Sequence, residues 1–344
     1  MASSDVTVTD EWVLGPGDTP FFTKRWCPSN EEPKAYIVFM HGFSEHAARY
    51  DHFFRHLAAA PSSLHIFAFD QRGYGRTGHE PLGPDSPEVK QWKAEGRNVK
   101  HEKSPKRKSG GWAKALPDAE FFVRREHDRA KGKKVFLWGH SMGGGQALAF
   151  ATRPHPPPSK DTLALLSGVI GGGACIRLTT PKPWALVKAG GLAASIGLGH
   201  MLIPAPIDYD GLSHNKEAND ACRVDPFCEQ IGSLRGLGDL LNGGGTLDSP
   251  AAWNAWPKDL PLLMYHGGDD PVTDPKVAER FYQNVKAEDK KFELLKGMLH
   301  EVHNELDPTP QNLAKLVSDW VHAHIGDTPD PVPATNGSTP VAKL

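Results

Sequence analysis

Cysteine is scarce in this 344-residue chain, and the four present, Cys27, Cys175, Cys222 and Cys228, form no C-x-x-C pair. That excludes a disulfide-framed small fold and a cysteine-built zinc module. Reduced thiols in an intracellular protein are expected, with a Cys222–Cys228 bridge as the alternative. An excess of one charge is missing too. A formal net charge of −2 supplies no field for a phosphate backbone, so nucleic acid is not an expected partner. The start, "MASSDVTVTDEWVLG", has neither the basic region nor the apolar core of a signal peptide. The longest apolar stretch, "PWALVKAGGLAASIGLGHMLIPAP" from Pro183, is broken by Lys188, His200 and four glycines, too polar for a membrane-spanning helix. No G-x-G-x-x-G opens the first strand–helix unit and no Walker A loop occurs, which removes dinucleotide and nucleotide chemistry; no cofactor is expected. The close pairs His41/His46 and His300/His303 lack carboxylate or cysteine partners at ligand spacing, so no metal site is expected either.

What the chain does have is an ordinary globular composition, 39% hydrophobic and 23% charged, and a regular alternation of short apolar runs with helical patterns. Strands are expected at Trp12–Leu14 and Phe21–Trp26 as an antiparallel lead-in. Six more follow at 35–40, 64–70, 134–139, 163–170, 260–267 and 290–297. Helices fall over Ala48–Ala60, Gly111–Lys131, Gly143–Thr152, Pro275–Val285 and Pro310–His324. This rhythm defines an α/β architecture with a mostly parallel central sheet flanked by helices.

Three segments interrupt the rhythm. Residues 82–110 are polar and rich in Lys and Arg, and read as a solvated surface loop excursion. Residues 156–258 offer no further clear strand and read as an inserted cap or lid. The expected core is therefore one discontinuous domain, 11–155 with 259–325. The tail 326–344 is Pro/Thr-rich and is expected to be disordered.

The chemistry centres on "VFLWGHSMGGGQALAF", residues 135–150. Gly139-His140-Ser141-Met142-Gly143 fits G-x-S-x-G, with a strand running in and a helix running out. That context marks a nucleophile elbow: a tight turn that presents one serine hydroxyl at a helix N-terminus. A serine needs a base and the base an orienting acid, which follow in that order at later strand ends. Asp270 in "GGDDPVTD" is the expected acid, with Asp269 nearer the strand as the alternative. His300 is the expected base, since it precedes His303 after the last strand. Two backbone N–H groups would hold the oxyanion, Phe43 in the turn "HGFSEH" and Met142 after the nucleophile. "HAARYD" (46–51) also matches an H-x-x-x-x-D acyltransferase pattern, but is expected to open a helix instead.

With these residues in place, the sequence resembles the monoacylglycerol lipases of the α/β-hydrolase superfamily, their fungal branch in particular. The resemblance runs from about Glu11 to Ile325 and is carried by "HGFSEHAARY", "FAFDQRGYGRTG", "FLWGHSMGGG", "HGGDDPVTDPK" and "KGMLHEVHNEL". It implies an α/β-hydrolase fold, with Ser141 as nucleophile, Asp270 as orienting acid, His300 as base and Phe43 and Met142 as oxyanion donors. It also implies that Glu45, Arg49 and His303 handle a glycerol headgroup; independently, Glu45 and Arg49 are spaced to face each other on one helical turn. The expected substrate is monoacylglycerol or a related lipid ester. A lysophospholipase, broad carboxylesterase or acyltransferase with the same triad is the alternative, and a non-catalytic lipid-binding protein the reading from another class. Phe43 stands where animal members carry a small residue.

The resemblance further makes residues 182–206 a lid whose outer face meets lipid, giving peripheral contact with a membrane or lipid-droplet surface. The terminal Ala342-Lys343-Leu344 is similar to the S-K-L peroxisomal address. The expected location is therefore cytoplasm or a lipid surface, with the peroxisome as the alternative.

Overall fold

The computed structural model describes residues 5–101 and 105–326. Ten strands occur among them: β1 (Val6–Gly15), β2 (Thr19–Pro28), β3 (Ala35–Met40), β4 (Leu64–Phe69), β5 (Val135–His140), β6 (Leu166–Gly172), β7 (Leu202–Pro204), β8 (Ile231–Ser233), β9 (Leu262–Gly267) and β10 (Lys290–Leu295). Eight of them form one sheet in the order β1-β2-β4-β3-β5-β6-β9-β10. The first two are an antiparallel hairpin joined antiparallel to β4, and every later pairing is parallel.

β3, β4, β5 and β9 are buried at every position and mostly apolar, because both faces of the sheet are covered. Along β3, Val38 and Met40 join the core beneath helices Trp112–Ala130 and Met142–Thr152, while Ile37 and Phe39 join the core beneath helices Asp51–Ala58 and Thr309–Ala323. Successive side chains point to opposite faces, so one strand feeds two cores. From β3 the chain passes to β4 on one side, then crosses to β5 on the other. This reversal opens a crevice beyond the carboxyl ends of β3 and β5, where open α/β sheets bind ligands.

The segment between β6 and β9 carries helices Lys216–Val224 and Leu234–Leu247, the helix Trp184–Ser195, and the small antiparallel pair β7–β8. Two expectations change here. β6 lies within the sheet between β5 and β9, so Leu166–Gly172 belongs to the sheet although it falls inside the expected 156–258 segment. Ser159 caps a short helix, Lys160–Leu163, that leads into the strand and takes up the first residue of the expected 163–170 run. This segment does contain strands, but β7 and β8 are three residues each, too short to leave a period-2 signal.

The stretch 82–110 also departs from a solvated loop. Helix Pro87–Ala94 buries Val89 and Trp92 against Leu14. Arg107 is fully buried: its Nη1 donates to Ser44 Oγ and its Nη2 to the Phe227 carbonyl, each at 3.1 Å. The charge density of this segment suggested a solvated face, whereas part of its cationic chemistry bonds inward. No helix among the described residues is long and apolar enough to cross a membrane. The tail beyond 326, including Ala342-Lys343-Leu344, lies outside the described residues.

Candidate active site

β5 ends at His140, and helix Met142–Thr152 starts two residues later, so Ser141 occupies the whole turn. Its φ is +54° and ψ −117°, a left-handed conformation costing about 1–3 kcal/mol for a residue with a side chain. Backbone bonds hold it there: Ser141 N–H donates to Gly172 O at 2.9 Å, and Ser141 O accepts from Cys175 N at 2.9 Å and Gly145 N at 3.0 Å. The glycines make the turn geometrically possible. A Cβ on Gly139 would collide with the Gly143 carbonyl, and one on Gly143 with the Met40 carbonyl at the end of β3. Met142 is the first helical residue, so its N–H is among those without an intrahelical acceptor.

Asp270 follows β9 and His300 follows β10, and their side chains meet, with His300 Nδ1 2.7 Å from Asp270 Oδ2. Asp269, the alternative acid, is exposed. Asp270 Oδ2 also accepts from Thr273 Oγ1 at 2.8 Å and lies 3.0 Å from His266 Nε2. Its Oδ1 accepts the N–H groups of Val272 at 2.7 Å and Thr273 at 3.0 Å. Burial alone would raise the Asp270 pKa, but the neighbouring His300 and the hydrogen bonds from His266 and His300 hold it far below the usual carboxylate range. His300 moves the other way. Burial opposes its charge, yet the Asp270 carboxylate lifts its pKa above the ordinary 6.5.

Ser141 and His300 line a small cavity whose polar end is formed by Glu45, Arg49 and Glu301, with Leu212, Cys222 and Cys228 also in its wall. Arg49 holds this end together. Its Nη1 donates to Glu45 Oε2 at 2.8 Å, and its two terminal nitrogens donate to the two Glu301 oxygens, each at 2.8 Å. Burial works against a charged Arg49, but Glu301 and Glu45 raise its pKa well above normal. Glu301 is likewise depressed by Arg49 despite burial. The other Glu45 oxygen accepts from Tyr50 Oη at 2.6 Å and from the Gly42 N–H. The expected Glu45–Arg49 contact is thus made, although Arg49 sits on the 3-10 turn Ala47–Tyr50 and Glu45 just before it, not together on a helical turn.

His303, expected at the headgroup, lines neither cavity at Ser141 and is 1% exposed. Its ring stacks on Tyr50 at 4.4 Å and packs edge-on to His140 at 4.8 Å. Burial pushes its pKa well below 6.5. The carboxylate that reaches the cavity in this loop is Glu301. It sits in the quoted "LHEVHNEL" motif beside His300, and its adjacency to the base was the available signal. His140 is also neutral, its pKa pushed to about 3 by burial and by His300.

On its other side Ser141 opens onto an apolar cavity of about 700 Å³, within the usual range for small-molecule pockets. Phe43, Val187, Ile203, Leu234, Leu237 and Leu241 contribute to its wall. Ser141 therefore stands where a polar compartment meets a large apolar one.

A family profile described as serine aminopeptidase S33 matches residues 31–307. The chain belongs to that family, and its fold is the α/β-hydrolase fold. Within it, this chain groups with the monoglyceride lipases. A protein of Schizosaccharomyces pombe bearing that name is 30% identical, across 88% of this chain and 71% of its own length. The monoglyceride lipase of Homo sapiens is 28% identical, across 87% of this chain and 86% of its own. A crystal structure of a soluble variant of the Saccharomyces cerevisiae monoglyceride lipase, bound to a substrate analog, superposes with a TM-score of 0.73 at 25% identity, covering 92% of this chain and 95% of that one.

Proposed function

We propose that the chain is a serine ester hydrolase that cleaves monoacylglycerol into glycerol and a free fatty acid. The observation that carries this is the position of Ser141 between the polar compartment at Glu45, Arg49 and Glu301 and the apolar cavity of about 700 Å³. A molecule with a small hydroxylic end and a long apolar end, bound across that junction, presents its ester to the serine.

In this mechanism His300 has its Nδ1 engaged by Asp270 and uses Nε2 to take the Ser141 proton as Oγ attacks the ester carbonyl. The N–H groups of Phe43 and Met142 bind the oxyanion; losing one such donor typically costs about 2.7–4 kcal/mol of barrier. Glycerol leaves with the proton returned by His300, and water activated by the same imidazole releases the fatty acid. Glu45, Arg49 and Glu301 form the hydroxyl-binding end.

The polar end also bears on the lysophospholipase alternative. The Arg49 guanidinium is already engaged by two carboxylates, so a phosphodiester would meet carboxylates without a free cation. Peripheral lipid contact is proposed for the exposed apolar residues Leu192, Ile196, Leu198, Met201 and Leu202, which would bring the cavity mouth to a membrane or lipid-droplet surface on its cytoplasmic side. The test of the headgroup is competition between a monoacylglycerol and the lysophosphatidylcholine of the same acyl chain. Preferential release from the glycerol ester is expected. Preference for the phospholipid would overturn the assignment.

A further inference from the structure

The turn after β3 carries one more ionisable side chain, His46, that ester hydrolysis leaves without a task. Its Nε2 lies 2.9 Å from Oδ2 of Asp225. Asp225 caps the short turn Pro226–Cys228, and its other oxygen accepts the Phe227 N–H at 2.7 Å. That bond fixes the carboxylate with Oδ2 turned toward the imidazole. Cys228 ends the same turn and is 1% exposed. One donor atom each from His46, Asp225 and Cys228 lies within 4.8 Å of the others.

An imidazole nitrogen, a carboxylate oxygen and a thiol sulfur are the donor types that zinc takes in tetrahedral sites. With bonds of about 2.0–2.3 Å, ligand atoms on one such ion stand roughly 3.3–3.7 Å apart. The 4.8 Å envelope of the three donors lies about 1 Å above that spacing, and the 2.9 Å His46–Asp225 pair slightly below it. A tetrahedral ion held by three protein donors keeps its fourth position for water.

We propose that His46, Asp225 and Cys228 form a binding site for a zinc-class divalent cation, and that occupancy inhibits the enzyme. On binding, the metal–sulfur bond forms as the Cys228 thiol releases its proton to solvent; no electron is transferred. The inhibition follows from position. Cys222 and Cys228 wall the same small cavity as Ser141 and His300. His46 belongs to the core turn after β3 and Asp225–Cys228 to the segment between β6 and β9, so one ion clamps the two sides of the polar compartment together. The local sequence held no sign of this, because His46 and Asp225 are 179 positions apart.

The experiment titrates reduced, chelator-treated protein with cobalt(II), whose thiolate charge-transfer and tetrahedral d–d bands report the ligands without any substrate. One cobalt per chain with a thiolate band, displaced by zinc, is expected. Cys228→Ser should lose the band, and the volume-conserving Asp225→Asn should bind at least about tenfold more weakly. In parallel, zinc should inhibit hydrolysis of a soluble short-chain ester by wild type, reversibly with EDTA. Its inhibition constant should rise by at least about tenfold in both variants, each measured against its own uninhibited rate. Absence of a thiolate band, its persistence in Cys228→Ser, or equal zinc sensitivity of the variants would overturn the site. The cobalt spectrum fails or succeeds independently of the lipid substrate.

Discussion

Arg49 and Glu301 are joined by two parallel hydrogen bonds of 2.8 Å, Nη1 to Oε1 and Nη2 to Oε2. Arg49 comes from the turn after β3 and Glu301 from the residue beside His300, so this fork ties one wall of the polar compartment to the segment carrying the base. Glu45 shares the same guanidinium, and all three side chains are buried.

Breaking this cluster is costly, because removing one partner strands the others. Arg49→Ala leaves two buried carboxylates without their cation and should destabilise the protein by about 3–5 kcal/mol, read from the urea midpoint. Arg49→Lys keeps the charge but not the planar fork, and should recover only part of that loss. Because the Glu301 carboxyl is held below its usual 4.5 in the folded state, its contribution is complete above that value and disappears as the pH falls. Glu301→Gln should therefore show a shallower decline of stability in acid.

The pH profile of hydrolysis should have an acid limb set by His300, which must be neutral to accept the Ser141 proton. With its pKa raised above 6.5 by Asp270, kcat/KM should rise with pH and level off only beyond that value. Asp270→Asn removes the charge that lifts it, so the limb should move to lower pH while kcat falls by about 10⁴, the typical cost of losing the acid that orients the imidazole. An unshifted limb would place the titrating group elsewhere.

Chain-length preference should be adjustable from one side of the apolar cavity. Gly238 lines it, and a Cβ at that position would meet nothing within 4 Å. Gly238→Leu is tolerated by its helix and narrows the cavity. It should lower kcat/KM for a long-chain monoacylglycerol by about tenfold, equivalent to about 1.4 kcal/mol, while leaving a short-chain ester nearly unaffected. Equal effects on both would mean that the acyl chain lies elsewhere.

The fold was legible where local pattern and tertiary role agree. The apolar runs of β3, β4 and β5 stand out because both faces of the sheet are covered, and the Gly-Ser-Gly knot declares its own backbone geometry. Asp270 and His300 could be located by order alone, each just past a strand. Legibility ended where a residue's role depends on a distant partner. Arg107 reads as one cation in a basic run, yet it is buried by Ser44 and Phe227, far away in sequence. His303 was placed at the headgroup by family likeness, but Tyr50 and His140 draw its ring into the interior. Glu301 faces the cavity instead, in the same short loop.

The central claim is ester hydrolysis at Ser141 on a glycerol ester. Its most direct test is fatty-acid release from a long-chain monoacylglycerol by wild type and by Ser141→Ala at equal protein concentration. The account predicts turnover by the wild type and a fall of about 10⁶-fold in the variant, the scale of losing a triad serine, with folding unchanged. Turnover that survives in Ser141→Ala, or its absence from the wild type, would contradict it.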